Sequence, residues 1–211
     1  DSLSIENARL KNQVLSERYS NKINTGVYTD TSMSFQQYTY IQAKVIKNSF
    51  DVYDNYLTLN AGTKDGIKED LGVINSKGVV GIIDKTTKNY ATVLSILNTK
   101  SQLNAKIKNT NHFGTLTWDG KDYRYMQLID IPRVAKVKKG DIVVTGGMSA
   151  IFPANLPIGV VSKVFLEKHT NYFVIQVKLF SDMTNLGHVY VINNKNRPEI
   201  QELETITTAK Q

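Results

Sequence analysis

The chain has 211 residues, 41% hydrophobic and 21% charged, enough apolar material to fill a core and too much for a disordered chain. Its 26 Lys and Arg against 19 Asp and Glu give a net charge of +7, which favours polyanions or an anionic membrane surface, although the basic residues are scattered as on a solvated face. The absence of cysteine excludes disulfides, thiolate nucleophiles and zinc-thiolate sites, and no apolar run approaches the roughly 20 residues of a membrane-spanning helix.

Residues 1–22, DSLSIENARLKNQVLSERYSNK, lack Pro and Gly and carry apolar side chains at helical spacing. The chain opens at Asp1 inside this pattern, with neither Met nor signal peptide, so it reads as a piece of a longer protein, and any membrane anchor would lie upstream. Leu3, Asn7, Leu10 and Val14 follow the spacing of a coiled-coil seam, and an Asn at such a position would set the register of a parallel dimer. A second track, Ile5, Ala8, Asn12, Leu15 and Tyr19, keeps the same rhythm, so two registers are open, as is a helix packed on its own domain. At ~1.5 Å per residue the helix would be ~30 Å long, too short to stand unpaired, which points to a partner or to more helix upstream; the two polar residues on the stripes favour self-pairing over a dry core. Residues 23–37, rich in Thr and Ser, read as a linker.

From Tyr38 the period falls to two, and short β-branched or aromatic segments are bounded by Gly, Asn, Asp or Lys. Strands are predicted at 38–48, 56–60, 71–75, 78–85, 90–96, 103–108, 113–118, 126–130, 141–145, 157–167, 172–180 and 187–192, with no helix between them. An internal repeat organises them: YLTLN, Gly66, LGVIN, GIIDK and NYATVLSI are matched in order by MQLID, Gly140, DIVVT, GVVSK and NYFVIQVK. The offset lengthens along the repeat, so the second copy carries insertions, one of them in VVTGGMSAIFPANLPIGVV at 143–161. The predicted fold is therefore all-β with an N-terminal helix: a coiled coil, then two small six-stranded barrels at 38–112 and 113–192, closed so that no strand edge is left exposed. Whether strand 38–48 closes the first barrel or crosses to the second is open, and the polar residues 193–211 read as a disordered tail.

Ser149 invites a hydrolase reading, since His112, His169 and His188 are available as bases. TGGMS nevertheless lacks both the GDSGG setting of chymotrypsin-like proteases and the GxSxG nucleophile elbow, so Ser149 reads as a turn residue. No HExxH, calcium loop, GxxxxGK[ST] or GxGxxG is present, and most aromatic residues follow strand alternation toward a core. Gly146, Gly147, Phe152, Pro153, Pro157 and Gly159 are assigned to a structural or interaction turn, with Phe152, Pro153 and Pro157 pinning a wide loop against the second barrel.

The stretches SIENARLKNQ, YLTLNAGTKDGIKEDLGVINSKGVVGIIDK, GTLTWDG at 114–120 and KKGDIVVTGGMSAIFPANLPIGVVSKV resemble the rod shape-determining protein MreC family over most of residues 1–192. The family more often has a Gly soon after the first Pro of FPANLPIG; Asn155 tolerates the left-handed conformation, so the turn is expected to survive. The resemblance implies a membrane span upstream and a periplasmic or extracytoplasmic coiled coil with two barrels related to those of chymotrypsin-like proteases. It implies no enzymatic activity; the missing motifs, for their part, lead to the expectation of no cofactor and no metal. The implied partners are a second copy, in a homodimer or larger assembly, the cell-wall elongation transpeptidase and other elongation-complex membrane proteins, with no nucleic acid and no small-molecule substrate. On the residues alone, a protease-like hydrolase and a basic nucleic-acid-binding barrel stay open as alternatives.

Overall fold

The computed structural model describes residues 3, 5–7, 9–10, 37–110, 112–166 and 171–208. Twelve strands follow in chain order: β1 Tyr38–Asn48, β2 Tyr56–Leu59, β3 Gly72–Ile74, β4 Val79–Thr86, β5 Ala91–Ser95, β6 Leu103–Ile107, β7 Phe113–Thr117, β8 Tyr125–Pro132, β9 Ile142–Thr145, β10 Pro157–Leu166, β11 Tyr172–Leu179 and β12 His188–Asn194. Alternation of burial shows why several of them form, while β3 is buried throughout. In β6, Leu103, Ala105 and Ile107 point inward and are buried while Asn104 and Lys106 face out, the period-2 pattern of a half-buried strand.

Two closed antiparallel barrels result, one ordered β1-β12-β3-β4-β5-β2 and the other β10-β11-β8-β7-β6-β9. The chain repeat is thereby realised in space: matching β1, β2, β3, β4, β5 and β12 to β7, β8, β9, β10, β11 and β6 gives the same cyclic order. The repeat extends to irregularities. Gly81 and Gly159 each sit where a Cβ would fall 2.3 Å and 2.2 Å from the Leu94 and Lys178 carbonyl oxygens, and each is followed by a bulge, between Ile83 and Lys85 or Val161 and Lys163. One matched pair shifts: Ile83 faces Val93 and Val161 faces Val177, so Val177, not Ile175, holds the position of Val93.

Strand pairing corrects the expected division at 112/113. β6 lies in barrel two, and β12, from the end of the chain, closes barrel one between β1 and β3; β1 itself belongs to barrel one. The physical reason is that β12 is buried on both faces, Val189 and Val191 on one and Tyr190 and Ile192 on the other, and fills a gap that β1–β5 cannot close alone. Barrel two is thus inserted into the sequence of barrel one, and the Lys195 amide donates to the Gln37 carbonyl at 2.9 Å, bringing the two flanks of barrel one together.

The expected disordered tail is also corrected. Arg197–Thr208 forms an α-helix, α1, with Pro198 in its first turn, where a missing N–H costs nothing. Ile200, Leu203 and Ile206 recur at a helical interval that the polar composition concealed. Arg197 ties the helix to barrel one through the Asp70 carbonyl and, at 3.1 Å, the Asp70 carboxylate.

At the N-terminus Leu3, Ile5–Asn7, Arg9 and Leu10 are helical, with Arg9 holding Glu6 bidentately at 2.8 and 2.6 Å. Leu3 and Leu10 of the expected seam are 75% and 43% exposed. Val14 and residues 23–36 of the linker lie outside the described residues. Among the described residues no helix is long and apolar enough to cross a membrane.

Candidate interaction site at the junction between the barrels

The β9–β10 loop, residues 146–156, is held from within before it touches anything else. Thr145 organises it: its amide donates to the Leu156 carbonyl at 2.9 Å, its carbonyl accepts from Asn155 at 3.0 Å, and its hydroxyl donates to Pro153 O at 2.6 Å while accepting from the Leu156 amide at 2.9 Å. Gly147 at φ +80° and Asn155 at φ +68° supply the two left-handed positions, the second as expected for Asn in place of Gly.

So stiffened, the loop docks on barrel one, not on barrel two as expected. Phe152 is 2% exposed, and its ring lies over Gly72 of β3, where a Cβ would fall 2.5 Å from Cε1. The Asn194 side-chain amide of β12 donates to Ala150 O at 2.9 Å, and the carbonyl of Pro157 lies 2.3 Å from where a Cβ on Gly78 would be. The β11–β12 connection adds two more ties: Ser181 Oγ donates to Asn75 Oδ1 at 3.0 Å, and Asn48 Nδ2 donates to Met183 O at 2.8 Å. Of the expected turn residues, Phe152 and Pro157 thus meet barrel one, while Gly146 lies against Asn104 and Phe113 of barrel two, Gly147 against Ala154 within the loop, Pro153 accepts from Thr145, and Gly159 sits just inside β10. A buried Phe152 fixes barrel orientation and presents nothing to a partner.

Ser149 belongs to the same loop, and its Oγ accepts the Ile151 amide at 3.1 Å, ordinary turn chemistry. His112 precedes β7 at the opposite end of barrel two. His188 begins β12, whose other end, Asn194, meets the loop; six residues of strand separate the two by roughly 20 Å. His169 lies outside the described residues. The two described histidines are thus placed away from Ser149. Among the described residues no group of three or more His, Asp or Glu is placed to hold a metal.

One exposed surface escaped the sequence, which assigned its aromatics to the core. The β1–β2 loop carries Val52 and Tyr53 outward, and the β7–β8 loop carries Tyr123, whose ring meets Phe50 edge-on at 5.7 Å. Gly120 lets the Tyr53 ring pack against the β7–β8 loop, since a Cβ there would sit 2.6 Å from that ring. Arg124 lies 5.9 and 5.8 Å from the Tyr123 and Tyr125 rings and binds Asp122 through two nitrogens, at 2.9 and 2.8 Å, which holds the Asp122 carboxyl below its usual range. A groove of about 340 Å³ runs on from Tyr123 past Lys178 and Phe180 to Met183. The available signal was DVYDNY and KDYRYM, aromatics set among charges with no strand alternation.

Comparison with known proteins now bears on this architecture. The MreC of Listeria monocytogenes is 30% identical over 190 residues, covering 89% of this chain and 64% of that protein, so the chain spans less than two thirds of that relative. The solved structure of Listeria MreC superposes with a TM-score of 0.71 at 28% identity, over 92% of this chain and 90% of that one. A complex between PBP2 and MreC from Helicobacter pylori contains a chain of the same fold, with a TM-score of 0.60 at 21% identity over 75% of this chain and 99% of that one. Residues 45–193, from the middle of β1 to the end of β12, match the model of the rod shape-determining protein MreC, barrel core, and the chain belongs to that family.

Proposed function

We propose that this chain is the extracytoplasmic part of a non-enzymatic scaffold for bacterial cell-wall elongation and rod-shape determination, held at the cytoplasmic membrane by a segment upstream of Asp1. Two copies pair through Leu3, Asn7, Leu10 and Val14, and the barrels offer their surface to elongation-complex proteins, a PBP2-type transpeptidase among them. The observation that carries the reading is the family match across both barrels, to which the PBP2 complex of the Helicobacter relative lends the partner class. Exposed Leu3 and Leu10 support self-pairing, because a short helix gains its stability from a partner that buries its apolar stripe. The aromatic patch at Tyr53 and Tyr123 supports a protein contact, as such rings dominate interface energetics.

Sedimentation equilibrium of the whole chain and of residues 23–211 tests the pairing: the longer form is expected at twice the monomer mass and the shorter at the monomer mass. Equal masses at high concentration would sink the seam. For the partner, the immobilised chain is expected to bind the extracytoplasmic region of a PBP2-type transpeptidase saturably, and Tyr53→Ala with Tyr123→Ala to weaken it at least about tenfold.

A further inference from the structure

The end of barrel two that faces away from the junction combines exposed apolar side chains with basic ones. By strand alternation it gathers the ends of β6, β8 and β10 and the starts of β7, β9 and β11. Val134 is 78%, Phe165 49% and Leu166 54% exposed there. Beside them a cleft of about 490 Å³ is lined by His112, Lys136 and Lys138 over Ile107 and Ile142. The carboxylate among its lining residues, Asp141, is engaged by the Lys138 amide at 2.9 Å.

The two barrels differ at this point. In barrel one the β4–β5 ladder stops at the pair Thr86–Ala91; in barrel two the equivalent pair, Val164–Ile175, is followed by Phe165–Val174 and Leu166–Phe173. The extra length carries Phe165 and Leu166 beyond the rim, where they are about half exposed. Strand addition to the outer edge of β10 is disfavoured, because the bulge between Val161 and Lys163 and the exposed Lys163 are devices that blunt an edge. Contact must then run through side chains. Apolar tips set among lysines match a layer that presents negative headgroups above hydrocarbon.

We propose that this rim of barrel two is a peripheral docking site for an anionic lipid bilayer. Val134, Phe165 and Leu166 enter the boundary between headgroups and acyl chains, and Lys136 and Lys138 meet the lipid phosphates. The site acts independently of helix pairing and of transpeptidase binding. It is tested by co-sedimentation of the 211-residue chain with vesicles of equal parts phosphatidylglycerol and phosphatidylcholine, and with phosphatidylcholine alone. The expected result is binding to the anionic vesicles only, weakened about thirtyfold by Lys136→Glu with Lys138→Glu. Phe165→Ser with Leu166→Ser is expected to abolish it at unchanged melting temperature, these side chains being exposed. Lys64→Glu with Lys88→Glu, an equal charge change on barrel one, is expected to leave it intact. Absence of binding overturns the proposal, as does an equal loss in the barrel-one variant, which would mean net charge alone. A lower sedimenting mass for the Phe165 and Leu166 variant without vesicle binding overturns it too, by assigning the rim to a second copy.

Discussion

Phe152 shows how one side chain decides a relation between barrels. It sits in a loop of barrel two but fills a place over Gly72 of barrel one, so removing its ring empties a cavity on the junction. Phe152→Ala is expected to cost about 3–5 kcal/mol in a denaturant melt and to loosen the barrels in small-angle scattering; a loss under about 1 kcal/mol would contradict that role. The loop's Pro and Gly residues announced a turn in the sequence, but nothing local to Phe152 named its acceptor. Tyr40 offers a pH test. Burial, with a smaller contribution from Tyr38, pushes its hydroxyl from 10.0 up to about 12. A pKa raised on folding contributes stability that is fully present below the ordinary pKa and is lost as pH rises through the folded one, so stability is expected to fall between pH 10.0 and about 12. Ultraviolet difference titration of Tyr40→Phe should remove a step near 12; a step near 10.0 instead would refute the burial effect.

Among the elements, the bulged hairpins carry the clearest trace of the repeat. GIIDK and GVVSK place a Gly two residues before the bulge, and at both glycines a neighbouring strand's carbonyl fills the space of a Cβ. Gly81→Val and Gly159→Val are each expected to destabilise by about 1–3 kcal/mol in thermal melts, through overpacking against backbone that cannot yield. The strands were visible in the sequence because alternation is local, and all twelve lie within two residues of the expected bounds. Helix α1 was missed because average polarity outweighed the spacing of Ile200, Leu203 and Ile206, and because its tether, Arg197 to Asp70, joins positions far apart in the chain.

For the whole molecule the consequence of pairing is an insertion. Barrel two is one continuous run, β6 to β11, whereas barrel one needs β12 from beyond it. Residues 99–183 are therefore expected to fold cooperatively alone, while 38–98 should remain unfolded until a peptide spanning 187–196 is added, as followed by circular dichroism. A folded 38–98 without the peptide would contradict the closure. Closing barrel one across the span of barrel two also raises contact order, which slows folding.

By itself the sequence determined the strands, the barrel count, the repeat and the turn chemistry of the β9–β10 loop, because each depends on periodicity or φ preference within a few residues. Tertiary structure alone decided which strand closes which barrel, that Phe152 crosses to Gly72, and that Tyr53, Tyr123, Phe165 and Leu166 stand at the surface. Hydrogen-bond ladders and buried surface are shared between segments distant in the chain, and an apolar residue carries the same local signal whether it meets a partner strand or none.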